Sequence, residues 1–152
     1  MLLVPACEAE DVSPMPDPGP AAVVVDEENP CGVVASEEIA EATGGRAGRA
    51  REEQGHSAEL LCLYPVGPPY STVTVNVETD VSEVEFRRRI ERDPINTERL
   101  QGIGDLAFTH GLVAVSVWED GRAVSASVQH FSNPARTEAV VLEIGELIDS
   151  KL

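Results

Sequence analysis

Apolar and polar residues alternate within Ser71 to Thr79, with Val73, Val75 and Val77 on one side and Thr72, Thr74 and Asn76 on the other. A period of two marks a strand buried on one face, so this segment predicts a half-buried strand. Asp120-Gly121 is the strongest turn signal in the chain, because a two-residue type I′ loop needs positive φ at both positions. Centred on it, Val117 faces Val124, Val115 faces Ala126 and Val113 faces Val128. One register thus gathers every apolar partner on one face of a hairpin. Glu59 to Tyr64 reads as a further strand.

Elsewhere the period becomes helical. Ser82 and Glu85 have capping-box spacing, and Val81 with Phe86 has the spacing of a hydrophobic staple, which predicts a helix from Ser82 to about Arg92. Asn133 caps a last helix with Pro134 at its first position. Its Val140, Ile144, Leu147 and Ile148 form an apolar stripe expected to close the core against the valine face. A shorter helix runs from Ser36, as its cap, to Gly44, as its stop. The segment Gly45 to Gly55, with Arg46, Arg49 and Arg51, has no periodicity and reads as a loop. Pro14, Pro16, Pro18, Pro20 and Pro30 deny residues 8–30 the N–H groups that helix and sheet interiors need. That stretch reads as an acidic, proline-rich linker, within which Ala21 to Val25 can at most form a short edge strand. The expected fold is α+β, a single domain over residues 31–152 with a mainly antiparallel sheet packed by two or three helices.

Composition sharpens this picture in two ways. Apolar residues make up 42% of the 152 residues but aromatics only 4%, so the core must be built mainly from Val, Leu, Ile and Ala. No stretch approaches the roughly 18 apolar residues of a membrane span, and any contact with a bilayer would go through an anchor. The net charge is -16, and residues 1–45 hold acids but no Lys or Arg. Such a surface repels phosphate, which argues against nucleic acid and against direct docking on anionic lipid. A single lysine among 11 basic residues, with abundant Ala, Val and Gly, suggests a GC-rich bacterial genome.

Cys7 follows Leu3-Val4-Pro5-Ala6 and precedes the acidic linker. Aliphatic residues and a small residue before a cysteine are what a lipoprotein signal peptidase reads, so residues 1–7 read as a truncated lipoprotein signal remnant with Cys7 as the lipidation site. Three cysteines are an odd number, and lipidation of Cys7 leaves Cys31 and Cys62 to pair. By chain entropy, closing that loop of about thirty residues contributes roughly 3 to 4 kcal/mol. Three reduced, buried thiols in a cytosolic protein are the alternative.

Other candidate sites have competing readings. Gly102-Ile103-Gly104 lacks the third glycine and following helix of a dinucleotide fingerprint and reads as a tight turn into a strand, so no cofactor is implied. His56, His110 and His130 have no metal-ligand spacing. No nucleophile elbow appears, and no catalytic residue is assigned. Arg87, Arg88, Arg89 and Arg92 form the one dense basic cluster, readable as an anion-binding patch through Arg88 and Arg92 or as a solvated helix face with Glu83 to Arg87 and Glu85 to Arg89 pairs. Trp118 shares its face with Ala114, Ser116, Ala123, Ser125 and Ser127, small neighbours that suit either a shallow recognition surface or close packing of another element.

The order of these parts resembles the actinobacterial lipoprotein family known as domain of unknown function 3558, over roughly residues 29–152. The likeness rests on Asn29-Pro30-Cys31 ahead of a capped helix, on Cys62 with Tyr64 two residues later, and on Gly102-Ile103-Gly104-Asp105-Leu106-Ala107-Phe108 entering a strand. The resemblance implies a Cys31–Cys62 disulfide, a lipid anchor in the cytoplasmic membrane at Cys7 and a fold similar to PsbP-like domains. It implies no reaction. The expectation is therefore a non-enzymatic, extracytoplasmic lipoprotein domain that binds a cell-envelope ligand or protein partner. The alternative is an envelope hydrolase or lipid-handling enzyme whose residues converge only in the fold.

Overall fold

The computed structural model describes residues 29–55, 59–68, 70–129 and 133–152. Cys7, the linker up to residue 28, His56 and His130 lie outside the described residues. In chain order the elements are α1 (Pro30–Val33), α2 (Ser36–Thr43), β1 (Arg51–Gln54), β2 (Leu60–Pro65), β3 (Thr72–Glu78), α3 (Glu83–Arg92), β4 (Thr97–Leu100), β5 (Leu106–His110), β6 (Ala114–Glu119), β7 (Arg122–Gln129) and α4 (Pro134–Asp149). The strands form one antiparallel sheet in the order β1-β2-β3-β7-β6-β5-β4. Two meanders, β1 to β3 and β4 to β7, are therefore stitched together where β3 pairs with β7. The expected α+β fold is the observed one.

The valine faces predicted from alternation form the inner face of this sheet. Val73, Val75, Val115, Val117, Val124, Ala126 and Val128 are all buried in one cluster with Val140, Val141, Ile144 and Ile148 of α4 and with Val33, Ile39 and Ala42 of α1 and α2. The hairpin register is the one the sequence predicts, with Val117 opposite Val124 and Val115 opposite Ala126. Asp120 and Gly121 both have positive φ, at 45° and 84°, as a type I′ turn requires. Asn133 caps α4, its side-chain oxygen accepting from the N–H of Arg136 at 3.2 Å, with Pro134 in the first turn.

Cys31 and Cys62 are joined in a disulfide with Cα atoms 4.9 Å apart, tying α1 to β2. The buried Tyr64 hydroxyl donates to the Val34 carbonyl at 2.7 Å, and burial, reinforced by the Glu38 charge, pushes this phenol well above its ordinary range. Lys151 pairs with Glu38 at 2.8 Å, linking the end of the chain to α2.

Three sequence readings need correction. The loop assigned to Gly45–Gly55 contains β1, and Ala47 bridges to Val66. All four residues of β1 are exposed, so it has no apolar face to generate a period; its pairing comes from β2. Ser36 is not the cap of α2 but its first residue. The cap is Ala35, whose N–H donates to the Glu38 carboxylate at 2.8 Å. Finally, Asn29 and Pro30, read as the end of the linker, cap and open α1, with the Asn29 side chain accepting from Cys31 N–H at 2.8 Å. Gly102 and Gly104 do form the expected turn, with positive φ at both. A Cβ on Gly104 would sit 2.7 Å from a Val117 methyl group, so this glycine permits a close approach as well as a bend.

α4 also comes close to the sheet at Gly145, where a Cβ would lie 3.0 Å from Val115 Cγ2. Gly145→Leu is expected to lower unfolding free energy by about 1 to 3 kcal/mol through overpacking. Gly145→Ala should cost far less, because the gain of up to about 1 kcal/mol in helix propensity offsets the contact. Urea unfolding of the two variants checks the contrast.

Candidate ligand groove on the outer sheet face

The helix α3 carries the chain from β3 at the sheet centre to β4 at its edge, and in doing so covers part of the outer face. The Ser82 hydroxyl accepts from Glu85 N–H at 3.2 Å, which starts the helix. Arg87 donates to Glu83 at 2.7 Å, and Arg89 donates to Glu85 at 3.0 Å, the two expected helix pairs. Arg89 also grips both oxygens of Glu78 at the end of β3, at 2.7 and 2.9 Å. This two-pronged contact fixes the helix to the sheet.

Under α3 lies a small apolar cluster of Val81, Phe86, Leu106, Phe108 and Ala123, with Ile90 and Trp118 partly buried against it. The rings of Phe86 and Phe108 pack with centroids 4.9 Å apart. Trp118 Nε1 donates to the Val81 carbonyl at 2.7 Å. Of the two readings of the Trp118 face, close packing of another element therefore holds at the Trp118 end. Arg88 and Arg92 are exposed on α3, have no ion-pair partner among the described residues and do not line the groove described next.

Among the described residues, the same face carries a groove beyond the reach of α3. This shallow groove of about 290 Å³ runs across β3, β7, β6 and β5. Its floor combines two polar faces. Thr74 and Asn76 from the alternating strand stand directly opposite Ser127 and Ser125, and Ser125 stands opposite Ser116. The Ser116 and Ser125 hydroxyls are hydrogen-bonded at 2.8 Å. Leu61 and Ala114 supply apolar wall, and His110 closes one side. The groove's lining includes no Asp, Glu, Lys or Arg, although the chain has 38 such residues, 27 acidic and 11 basic.

Burial lowers the His110 pKa below its ordinary value, against an opposing pull from the Asp93 charge. The imidazole is therefore neutral at pH 7, with one N–H donor and one acceptor, and it meets Phe108 edge-on at 4.7 Å between centroids. Asn76 donates from its amide nitrogen to Glu59 at 3.2 Å, while its Oδ1 and the Thr74 hydroxyl oxygen are shielded from solvent with no partner. Each such orphaned polar atom costs about 1 to 3 kcal/mol, so this part of the face is under-satisfied.

The sequence shows each strand's hydroxyl-bearing residues but not their union. Thr74 and Asn76 appear as the polar side of one strand, and the serines as neighbours of Trp118 in another. Only the β3–β7 pairing merges them, and His110 joins through β5. Of the three histidines, only His110 is among the described residues, and no group of three metal-ligating side chains occurs among these.

Because His110 holds its proton less tightly folded than unfolded, the unfolded chain binds more protons between the folded pKa and 6.5, and stability falls as pH drops through that window. The contribution is fully present above 6.5. Urea midpoints measured at pH 7.5 and 5.5 should therefore fall further for the wild type than for His110→Gln.

No protein-family model, curated protein or solved structure matches the chain, and the geometry of the groove stands on its own.

Proposed function

We propose that this chain is the globular domain of an exported actinobacterial lipoprotein, anchored in the cytoplasmic membrane through Cys7. The domain binds a cell-envelope ligand or protein partner without transforming it. The observation that carries this reading is the Cys31–Cys62 disulfide, because such bridges persist on the oxidising side of a membrane and are rare in the cytosol. With these two thiols paired, Cys7 is the one left over, in the sequence setting that a lipoprotein peptidase reads. No helix among the described residues is long and apolar enough to cross a membrane, and an acylated cysteine supplies attachment by another route. The resemblance to domain of unknown function 3558, and through it to PsbP-like domains, supports the same placement. The open groove supports binding as the domain's task, since a concave surface with polar side chains held on rigid strands is suited to recognition. The strongly acidic surface disfavours nucleic acid as the partner.

Metabolic labelling with an alkyne fatty acid in the native bacterium tests the anchor. The expected result is a labelled, membrane-associated product that loses its label on Cys7→Ser, with Cys31 and Cys62 unreactive to iodoacetamide until reduced. An unlabelled product whose three thiols all alkylate without reductant would sink the proposal.

A further inference from the structure

We infer that the groove at the centre of the outer sheet face binds a neutral saccharide segment. The inference rests on the reading of this groove as the domain's binding surface and specifies what that surface recognises.

Three properties of the groove exclude other ligand classes. The first is its lack of charge. An ionic ligand would find no counter-charge in the lining, an anion would be repelled by the net charge of -16, and a cation would be drawn to the acids elsewhere. The second is position. An extended peptide binds a sheet by adding to a free edge, and the edges here are β1 and β4. The groove lies over β3, β7, β6 and β5, whose backbone groups face partners on both sides. Recognition there has to come from side chains. The third is the scarcity of aromatic surface for a nucleobase, since His110 supplies the lining's single ring.

The side chains that remain match sugar chemistry. A hydroxyl both donates and accepts, and Ser116, Ser125 and Ser127 line the groove with three of them, while the Thr74 hydroxyl is shielded. One of the paired Ser116 and Ser125 hydroxyls spends its proton on the other, which leaves the second proton free for a ligand oxygen. Neutral His110 adds a donor and an acceptor. Leu61 and Ala114 provide aliphatic contact for the C–H face of a ring. Short side chains on strands lose little rotamer freedom on binding, so even a few such bonds yield a net gain.

The test is amide chemical-shift mapping on the full 152-residue chain, titrated with neutral trisaccharides of glucose, galactose, mannose and arabinose, and separately with an uncharged Ala-Ser-Asn peptide. At least one saccharide should shift the amides around Ser116, Ser125 and Ser127 with a Kd in the range of about 0.1 to 10 mM. Raising salt tenfold should change that Kd by less than about twofold, because no charge is engaged. Ser127→Leu, which fills the groove, and the milder Ser125→Ala should each weaken binding at least about tenfold, the first by occlusion and the second by loss of hydrogen bonds, while Arg88→Ala leaves it unchanged. Shifts with the peptide but with no saccharide would overturn the saccharide assignment and leave the groove as a binding site. No shift with either would overturn both. Saccharide binding equal in wild type, Ser127→Leu and Ser125→Ala would place the sugar elsewhere and overturn the inference.

Discussion

The pairing of β3 with β7 is the constraint on which the rest of the structure depends. Seven residue pairs, from Thr72 opposite Gln129 to Glu78 opposite Ala123, join two meanders that would otherwise be separate small sheets. Each meander alone would be a marginal three- or four-stranded layer with an unprotected edge. Joined, they give a continuous valine floor broad enough for α1, α2 and α4 to cover. The partners lie far apart in the chain, so the seam must repay the entropy of closing a long loop. The matching of Val73 with Val128, Val75 with Ala126 and Val77 with Val124 supplies the buried area that does so. A slip of one residue would turn all of these valines toward solvent.

The same seam determines what happens on the other face. Because side chains alternate across a strand, whatever brings valines together inside brings Thr74, Asn76, Ser125 and Ser127 together outside. α3 then divides this outer face unevenly. Its Phe86 and the Arg89 grip on Glu78 dry out the end around Trp118, Leu106 and Phe108, and the helix leaves the hydroxyl-rich centre uncovered. Packing and recognition are thus neighbours on one surface.

Much of this was legible in residue order, for physical reasons that can be named. The central strands and the hairpin each bury one face, so burial writes a period of two into their sequence. α3 and α4 carry caps whose side-chain chemistry is local: Ser82 with Glu85, and Asn133 with Pro134. By contrast β1 and β4 are edge strands with exposed, charged residues, and such strands owe their existence to a neighbour rather than to their own pattern. The shift of the α2 cap from Ser36 to Ala35 has a similar origin. Tyr64 and Lys151 hold Val34 and Glu38 from a distance, and no rule confined to neighbouring residues contains them. The groove was the least legible feature, since it is a property of three strand pairings at once and of no single segment.

The disulfide has a mechanical consequence. Tension applied at Asn29 enters the described fold at α1, a single helical turn that alone would resist little. Cys31 lies in that turn and is covalently bound to Cys62 on β2, which is held by β1 on one side and β3 on the other. A pull is therefore delivered into the hydrogen-bonded sheet directly, and the loop from Gly32 to Leu61 is bypassed. Pulling this domain by Asn29 loads the backbone hydrogen bonds that hold β2 to β1 and β3.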